Sequence, residues 1–303
     1  MMVPANNLGL INDPAGRHLV CLEVNPPRGT EMGDIFRRLD GGLEGIDFLN
    51  VTDSALARMK LAAFPFATTL KARYGIEPMV NISCRDRNLI AIQADLLGAW
   101  STGIRSVVAL TGDAVSIGDD PERKGVFEVN SIGLINAINT LNAGKDLAGN
   151  SLNGAPDFVV GVVVNPNANN PAAEIKRLQK KKDAGAKYAL SQPVFDQELA
   201  STFFKEASKV GVPLFMGLLP LKNGKAARAV ISIPGIKLSA ALQQVIAADP
   251  DADLSSFSIE HSLKLAESNR EYVRGYHVIS GASAKLALQL GQELAKYVRS
   301  TPR

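Results

Sequence analysis

Eight short apolar runs recur along the chain, at 19–24, 46–51, 78–83, 106–110, 158–164, 188–191, 213–217 and 276–279. Each is rich in Val, Ile, Leu or Ala and almost unbroken in its apolar character. Strands buried on both faces of a parallel sheet read this way. Helical periodicity fills the gaps, over 31–43, 55–74, 87–102, 131–141, 172–184 and 197–210. Three more helices are predicted near 225–232, 239–248 and 256–273, and a last one over 284–298. Asp196 is placed to cap the helix it precedes, and Gly211 to stop it. Residues 1–16 are polar and rich in Asn and Pro, which predicts a loosely held arm. The remainder, 17–303, reads as one domain.

Eight alternating units over about 280 residues predict a (β/α)8 barrel, a TIM barrel, for which ~250 residues is typical. A doubly wound open sheet is the alternative. Barrel active sites form where strands end. Those ends carry Glu23 and Asn25, then Thr52-Asp53-Ser54, then Asn81 and Ser83-Cys84-Arg85-Asp86. Further on come Thr111-Gly112-Asp113, Asn165-Pro-Asn167, Ser191-Gln-Pro193 and Ser280-Gly281. Most are ordinary turn residues. Glu23 and Gln192 are not, and an acid inside an apolar strand is costly to ionise. The longest irregular stretch, 114–130, follows the fourth strand, where a barrel places binding groups.

Composition narrows the chemistry. The 303 residues are 46% hydrophobic and 21% charged, with a net charge of +3, which points away from nucleic acid. Cys21 and Cys84 are the two cysteines, too few and too far apart for a thiolate metal site, and a cytoplasmic setting fits. Cys84 is expected to be a buried, inert thiol. No signal peptide and no membrane span are predicted. His18, His261 and His277 all fall away from the predicted strand ends, which argues against a His-based metal site or a Ser–His–Asp triad. No Walker loop or GxGxxG follows the first strand. Arg177, Lys180, Lys181 and Lys182 make a basic run. Such runs are commonly solvated helix faces, but this one lies beside the 165–170 loop and could hold a phosphate.

Taken together, Leu22-Glu-Val-Asn-Pro-Pro-Arg28, Cys84-Arg-Asp-Arg-Asn88, Ala109-Leu-Thr-Gly-Asp113, Asn165-Pro-Asn167, Asp183-Ala-Gly-Ala186 and Ser191-Gln-Pro193 resemble the methylenetetrahydrofolate reductase family. The resemblance spans about residues 18–295 and is nearest the bacterial branch also found fused to homocysteine methyltransferase domains. It implies a (β/α)8 barrel that reduces 5,10-methylenetetrahydrofolate to 5-methyltetrahydrofolate in one-carbon metabolism and methionine biosynthesis. It implies a bound flavin, FAD ahead of FMN. NAD(P)H, or a partner subunit that delivers electrons, would be the donor.

Site roles carry over from the same resemblance. Glu23 matches the general acid, Asp113 the carboxylate near pterin and flavin, and Gln192 an amide serving nicotinamide and folate in turn. Thr52 matches a residue near the nicotinamide, with Asp53 beside it. Ala55, Asn81, Thr111, Gly112, Asn165, Asn169, Glu174, Arg177, Lys180 and Lys181 fall at or beside flavin-contact positions. Thr111 stands where the family commonly has Arg, and Ala226 and Ser283 replace folate-contacting Gln and Arg. A flavin-independent reductase and a catalytically idle barrel serving as a structural subunit are the alternatives. A homo-oligomer or a larger complex is expected.

Overall fold

The apolar runs fold as strands β1 Leu19–Val24, β2 Phe48–Val51, β3 Glu77–Ser83, β4 Ser106–Leu110, β5 Val159–Val164, β6 Tyr188–Pro193, β7 Leu214–Leu218 and β8 Gly275–Val278. The computed structural model describes residues 7–13, 16–233, 235–249, 251–281 and 283–301. Every strand pairs in parallel with the next, and β1 pairs with β8, so the sheet closes as an eight-stranded barrel. The open sheet is thereby excluded. Helices α1 Gly33–Leu39, α2 Ala63–Tyr74, α3 Leu89–Ser101, α4 Ser131–Asn142, α5 Pro171–Asp183 and α6 Gln197–Ser208 follow the first six strands. Then α7 Gly224–Ile231, α8 Ala240–Ala248 and α9 Ser255–Ser268 lie between β7 and β8, and α10 Ala284–Ser300 ends the fold.

Alternation along the strands builds two cores. Outward side chains such as Val20, Leu22, Val80, Ile82, Val107 and Tyr276 pack under the helices. Inward ones, including Leu19, Cys21, Phe48, Met79, Val108, Tyr188 and Phe215, fill the barrel's lower half. Asp196 does cap α6, accepting from the Leu199 amide at 2.9 Å, and Gly211 takes a left-handed φ of +73° just past the helix. Among the described residues no helix is long and apolar enough to cross a membrane.

Two expectations are corrected. Within the expected arm, Asn7–Asn12 form a 3-10 helix whose Leu8 and Ile11 join the inner core. Arg274 fastens it by donating through Nε to the carbonyls of Leu10 and Ile11, both at 3.2 Å. Residues 1–6, 14 and 15 lie outside the described residues.

The helix expected over 55–74 is broken. Ala55–Ala57 form one 3-10 turn, and α2 starts only at Ala63. Pro65 explains the late start. It has no N–H for an i−4 bond, so it fits the first turn of a helix and not its interior. Upstream, Ser54, Leu56 and Ala57 have φ of +44°, +57° and +53°, which a right-handed α-helix does not accommodate.

Candidate active site

Glu23 is the one residue of β1 that is not fully buried, because its side chain rises from the inner core into the mouth. It faces inward with Cys21, and in register it pairs with Asn50 of β2. Three donors reach its Oε1: the Ser280 hydroxyl at 2.8 Å, the Ser280 amide at 3.2 Å and Asn25 Nδ2 at 3.3 Å. Burial pushes the carboxyl above its ordinary 4.5, and these bonds pull it part of the way back. The result is an acid lifted toward the range useful for proton donation.

The other candidates converge from separate strands. Asp113, exposed after β4, accepts from the Leu56 amide at 2.7 Å. Gly112 reaches it through a φ of +97°, and a side chain there would press on Arg85 Cβ at 3.0 Å. Gln192 is the exposed position of β6. Thr52, after β2, donates to Asn25 Oδ1 at 2.7 Å. Asn81 accepts from Asn50 at 2.8 Å. Asn165, after β5, donates to the Gly235 carbonyl at 3.2 Å. Glu23, Asp113, Asn165 and Gln192 thus share the C-terminal end of the barrel, as expected.

Beside the mouth lies a cavity of about 500 Å³ between α4 and α5, lined by Thr111, Asn130, Lys176, Arg177 and Lys180 among others. The first amides of α4 are already used. Thr111 accepts from Ser131, and Asn130 accepts from Ile132 and Gly133. Three cationic side chains, Lys176, Arg177 and Lys180, line the cavity. Asn169, just before α5, and Ala55, in the turn after β2, are both exposed.

The basic run divides by direction. Lys181 is buried and donates to the Val163 carbonyl at 2.6 Å, and Lys182 donates to the Val210 carbonyl at 2.5 Å. Lys181 ties α5 to β5, and Lys182 ties it to the segment after α6. Arg177 and Lys180 face the cavity, with Arg177 paired to Glu174 at 3.0 Å. Glu174 is itself buried and accepts from the Asn165 amide at 3.1 Å. Asp53 is turned from the mouth: it pairs with Arg87 at 2.7 Å and accepts from the Ser83 amide at 2.9 Å. Ala226 sits in the first turn of α7, and Ser283 caps α10.

Cys84 is buried, donates to the Leu110 carbonyl, and has its thiol pushed up to about 11 by burial. It has no character as a nucleophile near neutral pH. The sequence places Asn25 and Ser280 at strand ends but gives neither a role, since each reads as turn chemistry until β8 closes on β1. It also left His277 unassigned. His277 is the last but one residue of β8, is buried, and among the described residues has no hydrogen-bond partner on either ring nitrogen.

A closed (β/α)8 barrel with a half-buried acid, a carboxamide and a second carboxylate around its C-terminal mouth is the architecture of a barrel enzyme acting on a small molecule. A profile of the family described as methylenetetrahydrofolate reductase matches residues 10–294. The chain belongs to the methylenetetrahydrofolate reductase family, a family of oxidoreductases. It is 27% identical over 247 residues to the 5,10-methylenetetrahydrofolate reductase of Escherichia coli, covering 78% of this chain and 77% of that one. The Salmonella typhimurium enzyme of the same name is 26% identical over 231 residues, 74% and 71% of the two chains. A rice protein described as a probable methylenetetrahydrofolate reductase (NADH) is 22% identical over 297 residues, which is 94% of this chain and 44% of that one.

Proposed function

We propose that this chain reduces 5,10-methylenetetrahydrofolate to 5-methyltetrahydrofolate with Glu23 as general acid. The observation that carries the reading is the Glu23 carboxyl, raised by burial yet open to the mouth. The bond from the bridging methylene to N10 breaks, its electron pair stays on N10, and N10 takes the proton of Glu23. The methylene carbon, now an iminium on N5, accepts a hydride and becomes the methyl group. Asp113 presents a carboxylate to the N–H edge of the pterin, and Gln192 offers an amide that can serve two ligands in turn.

The cationic lining of the lateral cavity fits a flavin: Arg177 and Lys180 would hold its phosphate, with Thr111 beside them. When bound, the flavin would supply the hydride after reduction by NADH, NADPH or a partner protein. A second phosphate would give Lys176 a role too, which favours FAD over FMN. Two buried free thiols suit a cytoplasmic enzyme.

Glu23→Gln tests the reading, because the acid is needed when the folate bridge opens and not when the donor delivers electrons. The variant keeps shape but has no proton to give. Rapid-mixing absorbance at the flavin band reads the two halves separately. Reduction by the donor should stay within about tenfold of the parent, and oxidation by methylenetetrahydrofolate should fall ~10²–10⁴-fold. Equal losses in both halves would leave Glu23 a structural part of the site and not its acid.

A further inference from the structure

The hydrogen bonds around Glu23 all run one way. Thr52 Oγ1 donates to Asn25 Oδ1 at 2.7 Å, which fixes the orientation of that amide. Asn25 Nδ2 then donates to Ser280 Oγ at 2.6 Å and to Glu23 Oε1 at 3.3 Å. Ser280 in turn sends its hydroxyl and its amide to the same Oε1. Ser280 Oγ, accepting from Asn25, has its one hydrogen left for Glu23. Among the described residues no hydrogen bond reaches Oε2.

We propose that Asn25 and Ser280 are positioning residues that hold Oε1 as the acceptor of the Glu23 carboxyl, so that Oε2 carries the proton and faces the substrate. An oxygen already accepting three hydrogen bonds has no room for a proton, whereas the bare oxygen does. The chain Thr52–Asn25–Ser280 thus aims the acid, and it links β2 and β8 to the proton of β1. This inference rests on the reading of Glu23 as the acid.

Other groups facing the same interior do not confuse a titration. Cys21, below Glu23 on β1, is held well above its ordinary value by burial, and His277 on β8 is pushed down to about 4, so both are uncharged near neutrality. From β2 and β3 the inward neighbours are Asn50 and Asn81, from β6 Gln192, and from β7 Gly217, none of which titrates. Asp113, after β4, is the other carboxylate at the mouth, and the band lost in Glu23→Gln tells Glu23 apart from it.

The test follows the Glu23 carboxyl by infrared titration of the protein as isolated, its band identified by its loss in Glu23→Gln. Donors to the ionised form lower a carboxyl pKa, so removing one raises it. Ser280→Ala should move the Glu23 titration up by about one unit. Asn25→Leu should move it up by less, given its longer contact, and Ser280→Thr should leave it in place. In the folate half-reaction the limb where rate falls with rising pH should move by the same amount. The plateau rate should fall about tenfold or more as the proton loses its direction. Were Ser280→Ala not to fold, Asn25→Leu still decides the matter. A Glu23 titration that stays put in the folded variants would overturn the inference. Absence of reductase activity in the parent would overturn the functional reading alone, because the titration needs no substrate.

Discussion

The backbone N–H of Leu56 donates to Asp113 Oδ2 at 2.7 Å, fastening the loop after β2 to the loop after β4. The fastened segment is the one with left-handed Ser54, Leu56 and Ala57. Asp119 adds to the hold by accepting from the Met59 amide at 3.0 Å and pairing with Arg28 at 3.2 Å. A left-handed non-glycine residue costs ~1–2 kcal/mol, so the turn persists because these carboxylates keep it. Asp113→Ala should speed amide hydrogen exchange at Leu56 about tenfold while the melting temperature of the barrel barely moves. Ala57→Gly relieves one strained position and should stabilise by about 0.5 kcal/mol, after glycine's own entropy cost. Unchanged exchange in the first variant would mean that Asp113 does not hold the turn.

Glu23 and His277 give stability opposite pH dependences. Glu23 binds its proton more tightly folded than unfolded, so its contribution is full below its ordinary 4.5 and is lost as pH rises through the raised value. Glu23→Gln should therefore gain stability over the parent as pH rises above that point. His277 is lowered from 6.5 to about 4 by burial, so its contribution is present above 6.5 and is lost as pH falls through that interval. The loss should reach ~3 kcal/mol near the bottom of the interval. His277→Leu should abolish that acid-side loss and be nearly neutral at higher pH, since it replaces a buried group with no hydrogen-bond partner among the described residues. Denaturant melts from about pH 4 to about pH 8 measure both. Parallel curves for parent and His277→Leu would show that the ring is not buried as a neutral base.

Ile11 is fully buried at the bottom of the inner core. Ile11→Ala should cost about 2–4 kcal/mol in equilibrium unfolding, the range for a large-to-small change in a packed core. A loss below ~0.5 kcal/mol, typical of surface positions, would return residues 7–12 to a loose arm.

The apolar runs by themselves determined the barrel and the level of its mouth. A parallel strand buried on both faces has to be a short, nearly continuous apolar segment. For that reason 19–24 and 106–110 coincide with β1 and β4, and the others shift by only one or two residues. The same logic singled out Glu23, since an acid within such a run needs an explanation that local pattern can pose. What the pattern could not hold is which groups meet. Ser280 lies 257 residues from Glu23 and reaches it only because β8 closes on β1. Lys181 and Lys182 read like Arg177 and Lys180 in sequence, yet the turn of α5 sends two of these cations to backbone carbonyls and two to the cavity. Asp53 reads as a mouth residue until Arg87 claims it. Pro65 is a local signal for the late start of α2, but the left-handed turn before it is held by carboxylates on a different loop, which no propensity within 55–74 encodes. Local sequence specifies which faces are buried. Closure of the sheet decides which polar groups find each other, because a buried or strained group takes whatever partner the tertiary fold brings within hydrogen-bond reach.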